Sequence, residues 1–130
     1  MTQTQQTNKF TVLSIDRNGA SIAANGENKL VAWDTLRAAA KQSDPELRSL
    51  YAALLVDAER MALATTPVAL RAAEINSNVY GVQGLGVDGT WRHVRLYRSI
   101  TLRADDGIDN YTMHHAQSEA GEIARRNGIA

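Results

Sequence analysis

The chain has 130 residues, fourteen basic and fourteen acidic side chains, 44% apolar content and no cysteine. That length allows one domain with a real core and is too short for two of ordinary size. Disulfides, thiolate metal centres and thiol catalysis are excluded, and a net charge of zero gives no global pull toward a polyanion.

The first stretch, MTQTQQTN at 1–8, reads as a disordered tail, with neither the basic nor the apolar segment of a secretory signal. The longest strongly apolar run, AALLV at 52–56, is far short of a membrane span. These features fit a cytoplasmic protein, and residues 9–130 read as a single domain.

From Lys9 the composition turns to strand formers. FTVLSID, ASIAA and KLVAW are separated by Asn18-Gly19 and Asn25-Gly26. Asn-Gly tolerates the positive φ of a tight turn, so the pattern predicts three antiparallel strands over 9–16, 20–24 and 28–33. Asp34 then caps a short helix, TLRAAAKQ. Ser43 or Asp44 caps the next, with Pro45 at a first-turn position and Glu46 favouring the same end. Leu47, Leu50, Leu54, Ala58 and Met61 make one apolar stripe, and this helix runs to Ala64. TTPVALRAAEINSN repeats the device, with Thr66 as cap and the Asn-rich end as stop, and predicts a third helix.

VYGVQ and the loop GLGVDGTW at 84–91 follow. Gly84-x-Gly86-x-x-Gly89 has the spacing of a phosphate-cradling loop. A dinucleotide fingerprint, however, needs a helix after the loop and an acid about twenty residues on. Here a β-rich run follows, and the lysines of a P-loop or kinase are missing. The glycines therefore predict a hairpin turning at Asp88-Gly89, with no cofactor implied.

TWRHVRLYRSITLR, at 90–103, predicts a long strand. Alternation would put Trp91, His93, Arg95, Tyr97, Ser99, Thr101 and Arg103 on one face, and Arg92, Val94, Leu96, Arg98, Ile100 and Leu102 on the other. IDNYTMHH pairs back as a strand, and a last helix covers about 116–127. The sum is an α+β fold: an antiparallel sheet of about five to six strands with about four helices packed mainly on one face. The expected core holds Val12, Ile15, Ile22, Leu30, Leu36, Leu47, Leu50, Leu54, Met61, Val94, Leu96, Ile100 and Ile123.

The candidate ligand-binding residues are Trp91, His93, Arg95, Tyr97 and Arg103. Rings on an open sheet can stack bases, and arginines between them can pair with phosphates. The leading expectation is a small non-catalytic domain that binds single-stranded nucleic acid or another anionic partner. The alternative is a protein-protein interaction module, a homodimer or an inhibitor of a partner protein, since Trp, Tyr and Arg are enriched at interface hot spots. A small metal-dependent hydrolase comes third. It would need His93 and His114 to meet Asp105, Asp106 and Asp109 in space, and no complete catalytic constellation is visible.

Overall fold

A computed structural model describes residues 10–102 and 110–129. The described residues form six strands in two separate three-stranded antiparallel sheets, with three α-helices. The fold is α+β, as expected. Among the described residues the single larger sheet and the fourth helix are not found, and the reason lies in two segments described below. The backbone gathers into two compact units, Met1–Ala62 and Leu63–Ala130.

In the first unit, strands β1 (Phe10–Asp16), β2 (Gly19–Ala24) and β3 (Glu27–Val31) form a meander in that order. The chain turns at Asn25-Gly26 as predicted, whereas the first turn is Arg17-Asn18 and Gly19 already opens β2, paired with Asp16. Asn25 (φ 53°) and Gly26 (φ 88°) take the paired positive φ values of a mirror-image turn. At the other turn Asp16 Oδ1 accepts the amides of Asn18 at 2.7 Å and Gly19 at 3.2 Å. Gly19 is required there, because a Cβ would lie 2.1 Å from the Val31 carbonyl oxygen.

Helix α1 (Trp33–Ala39) starts one residue before the predicted cap. Ala32 flanks it without a side-chain bond, and Asp34 lies inside the first turn, 3.5 Å from Arg37. The Trp33 indole N–H donates to Asp16 O at 2.8 Å and thus ties the helix start to β1. Helix α2 (Pro45–Ala64) has the predicted limits. Asp44 Oδ1 accepts from the amides of Glu46 at 3.0 Å and Leu47 at 3.5 Å, which identifies the cap.

The second unit departs most from expectation. The segment read as a third helix is strand β4 (Ala69–Asn76), paired with β5 (Val79–Leu85). Ala, Leu, Arg and Glu are good helix formers, but local preference is weak and a paired neighbour overrides it. The polar stop is instead a hairpin turn, with Asn78 at φ 62° and its amide donating to Glu74 Oε2 at 3.2 Å. Thr66 therefore caps no helix.

Strand β6 covers only Trp91–His93, and a 3-10 turn follows at Val94–Leu96. The long strand and its alternation end there. The last helix, α3 (Met113–Arg126), begins earlier than predicted, so Met113, His114 and His115 are helical rather than extended. Thr112 and His115 form its capping box: the His115 amide donates to Thr112 Oγ1, and His115 Nδ1 accepts the Thr112 amide at 3.1 Å.

Of the expected core, Ile22, Leu36, Leu54, Val94, Ile100 and Ile123 are buried. Val12, Ile15, Leu50 and Met61 are half-buried, whereas Leu30, Leu47 and Leu96 are exposed. Leu30 lies on β3, an edge strand, and Leu96 is turned out by the 3-10 turn. Among the described residues no helix is long and apolar enough to cross a membrane. Asp44→Ala should lower stability by about 1 kcal/mol, read as an earlier urea midpoint, while Thr66→Ala should shift that midpoint less.

Candidate functional site

The second sheet has two unlike faces. Its strands run in the order β4-β5-β6, with Leu70 paired to Gly84, Gly84 to Arg92, and Ala72 to Val82. Val82 joins Val94, Tyr97, Ile100, Ala120 and Ile123 in one buried cluster, with Leu70 and Ile129 packed against it. Helix α3 covers this face through Ala120 and Ile123. Alternation then puts Ala69, Arg71, Ala73, Gly81, Gln83, Leu85, Trp91 and His93 on the opposite face.

The glycine loop is built around an ion pair. Asp88 is 2% exposed. Arg92 grips its carboxylate with two N–H groups: Nη1 donates to Oδ1 at 3.0 Å and Nη2 donates to Oδ2. The Thr90 amide also donates to Asp88 Oδ1, at 3.2 Å. The loop closes through Gly86 N to Thr90 O and Gly89 N to Gly86 O, both 2.9 Å. Tyr97 lies beside this pair, and its hydroxyl donates to Gly84 O at 3.0 Å.

The glycines make room for these groups. A Cβ on Gly86 would sit 2.6 Å from Asp88 Oδ1, 2.7 Å from Arg92 Nη1 and 2.9 Å from the Tyr97 hydroxyl. One on Gly84 would press on Pro67 and on the Tyr97 ring. The motif is thus a hairpin, as its context predicted, with Gly84 and Gly86 fixed by packing and Gly89 by its positive φ of 82°. Burial alone would lower the Arg92 pKa, but hydrogen bonds and charge from Asp88, with help from Tyr97, outweigh it and raise the value. Burial raises the Tyr97 phenol above its ordinary value, against the opposing pull of Arg92.

The five predicted site residues do not share one face. Trp91 is half-buried and His93 exposed, both on the face opposite α3. Arg95 is exposed on the 3-10 turn, outside the strand. Tyr97 is 3% exposed, inside the core cluster. The expectation of Tyr97 on an open face is therefore corrected: side chains in a 3-10 turn step by about 120°, not 180°, and the ring swings inward. Arg103 lies outside the described residues, as do Asp105, Asp106 and Asp109 of the suggested His/carboxylate cluster. His114 stands on α3 with its ring edge-on to His115. Among the described residues no group of three or more His, Asp or Glu could hold a metal ion.

Two residues that the sequence reading missed complete the face opposite α3. The Arg71 guanidinium carbon lies 4.0 Å from the centroid of the Trp91 ring. Arg71 Nε and Nη2 both donate to Gln83 Oε1 at 3.0 Å. Trp91, Arg71 and Gln83 therefore form a connected aromatic and polar patch across three strands, and His93 is the register partner of Gln83. The signal was present in the sequence only if 69–85 is read as a hairpin, because the cross-strand register is what brings Arg71 to Gln83.

Removing one partner of the buried pair is the severe change. Asp88→Ala should cost about 3 kcal/mol or more, because it leaves the Arg92 charge buried and unpaired; denaturant unfolding measures it. In an alkaline titration followed by ultraviolet absorbance, Tyr97 should ionise above the ordinary phenol range. Its raised pKa makes its contribution to stability complete below the unfolded-state value of about 10, and that contribution is lost as pH rises through the folded-state value. Loss of the late absorbance step in Tyr97→Phe checks the assignment. Comparison of the chain with protein-family models, curated proteins and solved structures finds no match.

Proposed function

We propose that this chain is a non-catalytic binding domain whose sheet face opposite α3, built on Trp91 and Arg71, takes single-stranded nucleic acid. The observation that carries the reading is the stack of the Arg71 guanidinium on Trp91 at 4.0 Å, held from the side by Gln83. A guanidinium plane accepts a stacked base much as an aromatic ring does. A base can extend the Trp91–Arg71 column on its outer side. Arg71 Nη1, on the edge away from Gln83, then meets a phosphate. Arg95, exposed two residues beyond His93, adds a second cation on the same connection. Stacking of this kind contributes about 1–3 kcal/mol per base and tolerates any sequence.

A protein partner, in a homodimer or an inhibitory complex, is the second reading. Leu96 is 52% exposed between Arg95 and the buried Tyr97, an apolar side chain beside a cation at the end of the proposed face. Arginine and large apolar groups together suit a protein interface.

Fluorescence separates the two. Trp33 is buried and hydrogen-bonded, so the difference between the wild type and Trp91→Phe isolates Trp91. Short single-stranded oligonucleotides should change Trp91 emission, with affinity falling steeply as salt rises. Arg71→Ala should weaken binding by about tenfold or more. Unchanged Trp91 emission at low salt would reject the nucleic-acid reading, and a sizing column would then test self-association.

A further inference from the structure

Asparagine is among the thermally labile residues. Its weak point is a following glycine, which carries no side chain to shield its amide nitrogen. Asn-Gly occurs three times in the chain, at 18–19, 25–26 and 127–128. The fold treats the three differently. Gly19 is buried, and its amide donates to Asp16 Oδ1 at 3.2 Å. Asn127 is held by its side chain: Oδ1 accepts the Thr101 amide at 2.9 Å, while Nδ2 donates to Thr101 O at 3.2 Å and to Ile123 O at 2.9 Å. The Gly128 amide donates to Arg125 O at 3.4 Å. Asn25 and Gly26 are both exposed at the tip of the β2–β3 hairpin, and a Cβ on Gly26 would meet nothing within 4 Å. Among the described residues, neither the Asn25 side chain nor the Gly26 amide has a hydrogen-bond partner.

We infer that Asn25 is a site of covalent self-modification, at which the chain loses ammonia and acquires an aspartyl or isoaspartyl residue. The site lies in the first unit and does not depend on the nucleic-acid reading. The Gly26 nitrogen, its proton taken by hydroxide, bonds to Asn25 Cγ. The Cγ–Nδ2 bond breaks, ammonia departs, and a five-membered imide closes. Water then opens the imide. Cleavage between the nitrogen and Cγ leaves ordinary Asp-Gly, whereas cleavage between the nitrogen and the main-chain carbonyl carbon leaves a chain that runs through Cγ. One water is consumed and one ammonia released, with no oxidant or reductant. Rotation about the Asn25 bonds must bring Cγ to the nitrogen, and no hydrogen bond holds either group back. At the other two pairs a hydrogen bond must break first. The aspartyl product keeps the turn, since Asp-Gly suits the same pair of positive φ values. The isoaspartyl product adds one carbon to a two-residue turn whose length sets the register of β3 on β2.

The test incubates the purified chain at mildly alkaline pH, native and in denaturant, and follows its peptides by mass spectrometry. Trypsin cuts after Arg17, Lys29 and Arg126. One peptide then carries both Asn18 and Asn25, which fragmentation separates, and another begins at Asn127. In the native chain Asn25 should convert at least about tenfold faster than Asn18 or Asn127, the effect of the hydrogen bonds that must open at those two. In denaturant the three should convert at similar rates, because the dipeptide is the same. Isoaspartyl methyltransferase should label the aged native chain, and Asn25→Gly, which accepts the positive φ of the turn, should abolish most of that label. Similar native rates at the three pairs overturn the inference. So does an Asn25 that stays intact in the native chain while it converts in denaturant, or a label that survives Asn25→Gly.

Discussion

The second unit turns on one buried contact, the two-pronged grip of Arg92 on Asp88. Two charges taken out of water are a liability unless their hydrogen bonds are satisfied. Here the carboxylate accepts both Arg92 nitrogens and the Thr90 amide, and the Tyr97 hydroxyl closes over the loop onto Gly84 O. The arrangement needs backbone where side chains would otherwise stand, which is why positions 84 and 86 are glycine. It also fixes direction. A strand sends alternate side chains to opposite faces, so holding Arg92 inward commits Trp91 and His93 to the outer face. The ion pair never touches the proposed ligand, yet it sets which residues can.

The outer face is assembled from distant parts of the chain. Trp91 and His93 come from β6, Gln83 from β5 and Arg71 from β4. None of these contacts is local in sequence apart from the neighbours on β6. The patch exists only once the two hairpins have closed in register, and a one-residue slip of either would exchange its members for core residues. The buried Leu70–Val82 side of the sheet resists such a slip, because it would carry Arg71 and Gln83 into the apolar cluster. Core and site therefore specify each other.

Much of the local structure was legible. The Asn25-Gly26 turn, the limits of α2, the Asp44 cap and the hairpin nature of the glycine loop all follow from chemistry carried by adjacent residues. The failures share a different cause. Residues 69–76 carry helix-forming side chains and become a strand because β5 is beside them. The run after His93 carries strand-forming side chains and curls because Tyr97 finds its partner at Gly84, thirteen residues back. The candidate site divides along the same line. Trp91 and His93 were found by alternation, which holds over the three residues of β6. Tyr97 was misplaced because alternation stops at Val94. Arg71 and Gln83 were invisible while their segments were assigned to different element types. Asp88 looked like an ordinary turn residue, since nothing in a sequence marks a turn aspartate as buried.

The energetics of the Arg71–Trp91 pair favour a role in binding over a role in stability. An exposed guanidinium on an aromatic ring contributes only about 0.5–1 kcal/mol. Fixing a long, flexible side chain in one pose costs entropy of similar size, so the stack does little net work for the folded state. For a ligand the balance differs. Gln83 already holds the guanidinium flat, and Trp91 is already held by its strand, so a base or phosphate arriving there orders little that is not ordered beforehand. Binding energy otherwise spent on immobilising side chains is then available as affinity. A cation already positioned by Gln83 and Trp91 is worth more to an anionic visitor than to the sheet that carries it.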